Sequence, residues 1–509
     1  MGAKTVIAID LGASSGRLIG VTLQDGKLDM KEIYRFPNEG IHAGDRFYTD
    51  VLHIFHEIIT GLRKANQELE SIDAIGLDTW GVDFAMLDEA DEMVGNPFHY
   101  RDDQSSGMIE EAERIFGKGV LFEETGVQDM WYNTVYQLLG LKKRNPRILR
   151  DGRTFLMIPD VLGFLLTGQK NIEYTSAATT QMYDVKKKDW SEKILKELGM
   201  DRSVFPKVLM TGEVKGYLSP VVTQLIGREG QAPVPLIAAA QHDSASAAHA
   251  VPAETEDYIF INSGTWSIIG SIIAEPVITR EVFEQNYSNE GAAYGKIKLV
   301  NTIMGMWLVQ ELRKSWERKG KDTDYGFLLD AAAKAKPFTA FLDVDDELFI
   351  APVDMEAAIR QYCEKTGQEP PKGQGEFYRT VIESLAFQYR QAIHDLEAIT
   401  GKSMDTVHFL GGAVRDRLFC QFIANATGKK VVAGPIEATA VGNAMVQLKS
   451  LGCISDEKEN ARILRATFEI ADYMPQDTKV WDEKFEQYRK ITKKKPENMI
   501  IRIVPCFAM

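Results

Sequence analysis

The chain has 509 residues, of which 44% are hydrophobic, 26% charged and 9% aromatic. A single hydrophobic core stops growing near ~250–300 residues, so at least two domains are expected, and the composition excludes a disordered chain, a collagen-like chain and a small disulfide scaffold. Fifty-nine Lys and Arg against 73 Asp and Glu leave a net charge of −14, which argues against nucleic acid or an anionic membrane as a general partner but leaves room for a small anion held by local N–H groups and a metal ion.

The chain opens with an apolar run at residues 6–9 (VIAI), a turn of small residues at 10–17 (DLGASSGR) and a returning strand at 18–23. The run meets Asp10 at once and does not read as a secretory leader, so a cytoplasmic location is expected. Val51, Ile54, Phe55, Ile58, Ile59 and Leu62 recur at helical spacing, which predicts an amphipathic helix over 49–66. A strand at 74–77 and an apolar run at 82–87 enclose Asp78, Thr79, Trp80 and Gly81. Residues 233–243 (PVPLIAAAQHD) read as a buried strand that ends abruptly in polar residues, before the small-residue run 244–248. Residues 251–257 read as a linker. The expected division is an N-terminal domain at 1–247, a C-terminal domain at 248–455 and a helical extension at 456–509.

The opening device recurs at 258–273. Residues 9–13 (IDLGA) lie over 261–265 (INSGT), as in an internal duplication, although two unrelated β-hairpins give the same short match. A strand at 406–410 runs into Gly411 and Gly412, then a helix at 416–426. Residues 476–495 read as a basic, solvated closing helix. Strands alternating with helices imply an α/β fold. No apolar run approaches the ~18 residues of a membrane span. Cys363, Cys420, Cys453 and Cys506 lack C-x-x-C spacing, so neither a zinc site nor a disulfide framework is expected.

Several residues carry possible chemistry. In the first turn Gly12 and Gly16 permit close backbone approach, and Ser14 and Ser15 offer hydroxyl and N–H groups, which suits a phosphate as well as a ligand-free hairpin. Asp10 at the strand end suits a hydrated Mg²⁺. Thr265 stands in a second turn of this kind, and Gly411 and Gly412 form a third. Gly401, Lys402 and Ser403 lack the upstream glycine of a phosphate-binding P-loop, and the segment reads as a helix-ending turn. Asp243, after an apolar strand, fits either a general base acting on a hydroxyl or a helix N-cap. His242 beside it fits a hydroxyl partner or a structural role. Trp80 fits a stacking platform for a sugar or a core aromatic, with Asp78 and Asp83 as hydroxyl acceptors.

In order along residues 6–450, these segments resemble the FGGY carbohydrate kinases of the actin–hexokinase fold. The likeness is carried by 10–17 (DLGASSGR), 78–84 (DTWGVDF), Pro159 and Asp160 with 166–168 (LTG), 174–181 (YTSAATTQ), 242–246 (HDSAS), 263–267 (SGTWS), 303–305 (IMG) with Trp307 and Gln310, and Gly411 and Gly412 through Gly434, Pro435, Glu437 and Ala438. The first two point to members that act on L-rhamnulose. The resemblance implies two actin-like, ribonuclease H-like domains closing over a cleft, with sugar mainly on the first and ATP on the second. It implies Asp243 as catalytic base, and Gly81, His242, Ser244 and Thr302 on the sugar. It sets Ala13, Ser14, Ser15, Gly16 and Arg17 on the ATP phosphates. Thr265, Gln310, Gly411 and Gly412 would hold ATP, and Asp10 would position Mg²⁺ through water.

Two positions depart from the family pattern. Its third glycine and following Asn are Ala413 and Asp416 here. Its sugar-contacting Asn before Ile-Met-Gly is Thr302, with Asn301 one residue earlier. A lost amide removes one hydroxyl partner. The expected activity is therefore ATP-dependent phosphorylation of L-rhamnulose at the C1 hydroxyl, with L-fuculose, L-xylulose or L-ribulose as the alternative acceptor. A non-sugar actin-fold ATPase is the remote alternative. A monomer or small homo-oligomer is expected.

Overall fold

The computed structural model of the chain describes residues 2–255 and 257–492. Cys506 and the last residues of the expected closing helix lie outside that range.

The first half is built on a six-stranded sheet. Its strands are β1 (Lys4–Leu11), β2 (Ser15–Gln24), β3 (Lys27–Pro37), β4 (Ala74–Thr79), β5 (Val214–Tyr217) and β6 (Pro235–Ile237), in the order β5-β6-β4-β1-β2-β3. β1, β4 and β6 run parallel; the β1–β2, β2–β3 and β5–β6 pairs are antiparallel. The unbroken apolar run of β1 follows from burial on both faces. The helix Val51–Glu68 (α1) starts on an Asp50 cap and turns Ile54, Ile58 and Leu62 into the core.

The second half repeats the plan. Strands β7 (Ile259–Ser263), β8 (Trp266–Ile273), β9 (Ser288–Gly291), β10 (Ile297–Met304), β11 (Thr406–Leu410), β12 (Lys430–Ala433) and β13 (Ala471–Tyr473) take the order β9-β10-β8-β7-β11-β12-β13. Aligned on β1 and β7, the two sheets share order and orientation strand for strand, with β9 added at one edge. The short sequence match is thus one part of a repeated sheet. The stretch after 455, expected as helical, also supplies the edge strand β13.

Three large apolar cores hold the described residues together. One belongs to each half, and the third lies between them, joining Val6 and Ala8 to Phe260, Leu410 and Ile463. Helices α2 (Asp243–His249) and α3 (Ala438–Ser450) cross in this third core. Their backbones meet so closely that a Cβ on Gly442 would lie 1.8 Å from the Ser246 carbonyl oxygen.

Three sequence expectations are revised. The apolar run at 82–87 ladders only as Phe84–Leu87, and with Thr154–Met157 rather than with the main sheet; Val82 has a φ of +70°, which breaks the strand before it. Of the apolar run 233–240 only Pro235–Ile237 joins the sheet. The closing helix, Thr478–Ile491 (α4), is not simply solvated. It buries Trp481, Phe485 and Tyr488 against Phe387 of the long helix Gln374–Thr400, a spacing of one apolar residue per turn. Gly401 is the left-handed cap that ends Gln374–Thr400, as expected.

The contact at Gly442 yields a stability test. Gly442→Ala forces a methyl group into main chain that has no rotamer to give, so overpacking is expected to cost about 1–3 kcal/mol or more. Denaturant and thermal unfolding of the variant measure it, and a midpoint equal to that of the parent chain contradicts the crossing described.

Candidate active site

Asp243 is the first residue of α2, and His242 is its cap residue. The N-cap alternative for Asp243 is therefore displaced by one residue, although its Oδ1 does accept the Ser244 N–H at 2.6 Å. The peptide before it is fixed from behind. The buried Glu173 carboxylate accepts from the Gln241 N–H at 3.2 Å and the Thr175 hydroxyl at 2.5 Å, and that hydroxyl accepts the His242 N–H at 3.0 Å. Lys215, also buried, pairs with Asp160 at 2.6 Å and reaches the Gln241 side-chain oxygen at 3.4 Å.

A cavity of about 670 Å³ opens in front of Asp243, between the two halves. Trp80, Gly81, His242 and Asp243 line it from the first half, and Thr265, Trp266 and Thr302 from the second. The Asp243 side chain is 39% exposed, and what it sees is this recess. Burial in its walls pushes the carboxyl up to about 6; Asp10 and Glu290 push the same way, against the Ser244 N–H and Lys298. Burial, then Lys298, hold His242 down at about 3, so its imidazole is neutral.

Trp80 is 9% exposed and stacks on His99 with ring centroids 6.0 Å apart. Its indole N–H donates to Asp83 at 2.8 Å. Asp83 is not in the cavity. Its oxygens are taken by Trp80, the Tyr100 N–H, Gln137 and Thr49, so it orients the indole instead of meeting a ligand. Asp78 is likewise fully buried and accepts from Asn443 at 2.6 Å, with Oδ1 left without a hydrogen-bond partner. Burial, and next the Asp10 carboxylate opposite it in the β1–β4 register, raise its carboxyl well above the usual range. Ser244 is not among the residues that line the cavity; its hydroxyl accepts from Lys298 at 2.6 Å.

The glycine turns sit at strand ends. The β1–β2 turn closes with the Gly12 N–H on the Ser15 carbonyl at 3.0 Å, and Asn38 braces it from below. A Cβ on Gly16 would meet the Phe36 ring at 2.2 Å. Arg17 returns to Asp10 at 2.7 Å and crosses to Glu437 of the second half at 2.5 Å. Thr265 donates to Gln310 at 3.3 Å. Gly411, at φ +86°, packs where a side chain would strike the Ser263 carbonyl at 2.7 Å, so the second and third turns touch. Ala13, Ser14, Ser15, Gly16, Gln310, Gly411 and Gly412 lie outside the lining of the 670 Å³ cavity.

Sequence reasoning overlooked Glu290, Lys298 and Asn443. A lysine inside the apolar run 297–300 was a readable signal, since a charge there needs a partner. The amide–carboxylate pair Asn443–Asp78 spans 365 positions and left no local trace.

Residues 5–249 match the FGGY family of carbohydrate kinases, N-terminal domain, and residues 259–451 match its C-terminal domain. The chain belongs to the FGGY family of carbohydrate kinases. A rhamnulokinase of Bacteroides thetaiotaomicron is 37% identical over 486 residues, 96% of this chain and 99% of the relative. A rhamnulokinase of Oceanobacillus iheyensis is 38% identical over 92% of this chain and 97% of its own. Among solved structures, a xylulose kinase from Lactobacillus acidophilus superposes with a TM-score of 0.81 at 18% identity, covering 96% of this chain and 98% of that one. Plasmodium falciparum glycerol kinase with ADP gives 0.78 at 17%, covering 96% and 98%. These two share the fold: paired α/β halves about a cleft. This FGGY kinase is an ATP-using enzyme by family, and none of its described helices is long and apolar enough to cross a membrane.

The scaffold behind the base can be tested directly. Lys215→Met leaves Asp160 buried with no counter-charge, a change that typically costs about 3–5 kcal/mol. Thermal unfolding is expected to begin well below that of the parent kinase, and an unchanged midpoint contradicts this role for the pair.

Proposed function

We propose that the chain transfers the γ-phosphoryl group of ATP to the C1 hydroxyl of L-rhamnulose. The observation that carries the reading is Asp243, a carboxylate raised to about 6 at the floor of a cleft walled by both halves. A base of that strength is ionised at neutral pH yet still accepts a proton readily. The names and the identities of the relatives, 34–38%, support rhamnulose as acceptor.

The ketose lies against Trp80 and Gly81, with its C1 hydroxyl toward Asp243. Asp243 takes the hydroxyl proton as the oxygen attacks the γ-phosphorus in line. The bond to the β–γ bridging oxygen breaks and ADP leaves. His242, neutral, hydrogen-bonds the sugar. The turn from Ala13 to Arg17 offers N–H groups to the phosphates, and Thr265, Gln310, Gly411 and Gly412 hold the nucleotide. Closure of the halves excludes water, the competing acceptor.

Magnesium fits as a hydrated ion near Asp10. Among the described residues no three His, Cys, Asp or Glu side chains converge to cage a metal, while Asp78 leaves a buried oxygen unpaired beside Asp10, and Mg²⁺ commonly keeps several of its waters. When bound it neutralises charge on the phosphates. Residues 1–247 form the sugar-binding domain and 248–455 the nucleotide-binding domain in this reading, with 456–509 as an extension.

A second reading, a kinase for another ketose, draws on Thr302, which lines the cavity with a hydroxyl where an amide is expected. A ketose panel decides between them. L-rhamnulose is expected to give the highest kcat/KM, and a tenfold advantage for L-fuculose, L-xylulose or L-ribulose overturns the choice. Asp243→Asn is expected to bind ATP normally and to lose about 10²–10⁴ in turnover; near-full turnover removes the base assignment. The base acts deprotonated and its pKa is raised, so kcat/KM holds above pH 6 and falls as pH drops through about 6. A profile flat to pH 4.5 rules that out.

A further inference from the structure

Glu290 lies on β9, in the second half, and lines the cavity. No role so far uses it. Its Oε2 is fixed by Lys298 at 2.7 Å and stands 3.7 Å from His242 Nδ1. Its Oε1 has no hydrogen-bond partner among the described residues. The side chain is 18% exposed, and it lines the cleft. Lys298 is wholly buried and spends its remaining contact on the Ser244 hydroxyl at 2.6 Å, across the two halves. The His242 ring, in turn, stands between Glu290 and Asp243, whose Oδ1 is 3.5 Å from Nε2.

Burying a lysine to pair with a carboxylate is a costly arrangement, which a working role for the carboxylate would account for. A carboxylate that lines a ligand-sized recess with one oxygen anchored and the other unpartnered is an acceptor for a hydroxyl hydrogen. Burial raises Glu290, but the Lys298 ammonium outweighs it and holds the carboxyl below its ordinary value, so at neutral pH it is ionised and can only accept hydrogen bonds.

We propose that Glu290 is a specificity-determining residue that accepts a hydrogen bond from a hydroxyl of the ketose other than C1. Lys298 is its positioning residue. The second half thereby contributes directly to sugar recognition, and the Glu290–Lys298–Ser244 chain ties that contact to the helix that carries the base. The inference rests on the ketose-kinase reading above, though not on which ketose is preferred.

The test uses the full-length protein, its best ketose, and the set of monodeoxy analogues of that ketose that keep the C1 hydroxyl. In Glu290→Gln the ketose KM is expected to rise about tenfold to hundredfold, as for loss of a charged hydrogen bond, with the ATP KM within about twofold of the parent. One deoxy analogue, lacking the hydroxyl that Glu290 accepts, is expected to show no further loss in the variant. Should Glu290→Gln not fold, because Lys298 is left unpaired, the double variant Glu290→Gln with Lys298→Met removes both charges and is measured instead. Lys298→Arg is expected to restore most of the ketose KM lost in Lys298→Met. An unchanged ketose KM in a folded Glu290 variant overturns the inference, and so does an equal loss on the ketose and on every deoxy analogue. In either case the parent enzyme still phosphorylates its ketose, and the proposed function stands. A parent protein that phosphorylates no ketose overturns both.

Discussion

The crossing of α3 over α2 is the constraint on which the site depends. With no side chain at Gly442, the two backbones come into contact at Ser246. That seats α3 against the strands of the first sheet. Asn443 reaches Asp78, Gln447 reaches the Ile7 carbonyl at 3.0 Å, and Glu437, just before the helix, meets Arg17. A helix from the second half thus fixes both central strands of the first sheet and the middle of α2. The base at the head of α2 is held at the junction of the halves, and any motion of one half is felt there.

The electrostatics follow from this convergence. Asp10 and Asp78 sit at neighbouring strand ends and Asp243 at the head of α2; the Asp10 carboxylate raises both of the other carboxyls, and Asp243 raises Asp78. Arg17 and Lys298 offset part of that repulsion, each from a position that links the halves. The balance leaves Asp243 weakly basic and His242 neutral. In a chain whose net charge is −14, such local pairing, not overall charge, decides whether a phosphorylated ligand is tolerated.

Much of this was readable in the sequence. The apolar run before Asp10, the abrupt polar end at His242 and Asp243, and the glycine turns are local patterns, and local patterns survive in one dimension. So does the aromatic spacing of Trp481, Phe485 and Tyr488, which the lysines around them concealed at first. What stayed hidden depends on distance along the chain. Asp83 looked like a ligand because, Trp80 apart, the groups that take its oxygens, from Tyr100, Thr49 and Gln137, stand 17, 34 and 54 positions away. Glu290, Lys298 and Ser244 come from two separate halves, and only folding brings them to one wall of the cleft.

The closing helix carries a consequence for biosynthesis. The second core is completed by Trp481, Phe485 and Tyr488, and the core between the halves draws on Ile463 and Leu464 beside Val6 and Ala8; the Leu28 N–H even waits for the Thr467 hydroxyl. A ribosome emits the first sheet long before these partners exist. The N-terminal half can settle early, as domains tend to do during translation, but it does so with one face uncovered. Nascent chains released short of residue 488 carry that exposed surface with them, so the hazard of aggregation falls on translation that stops late.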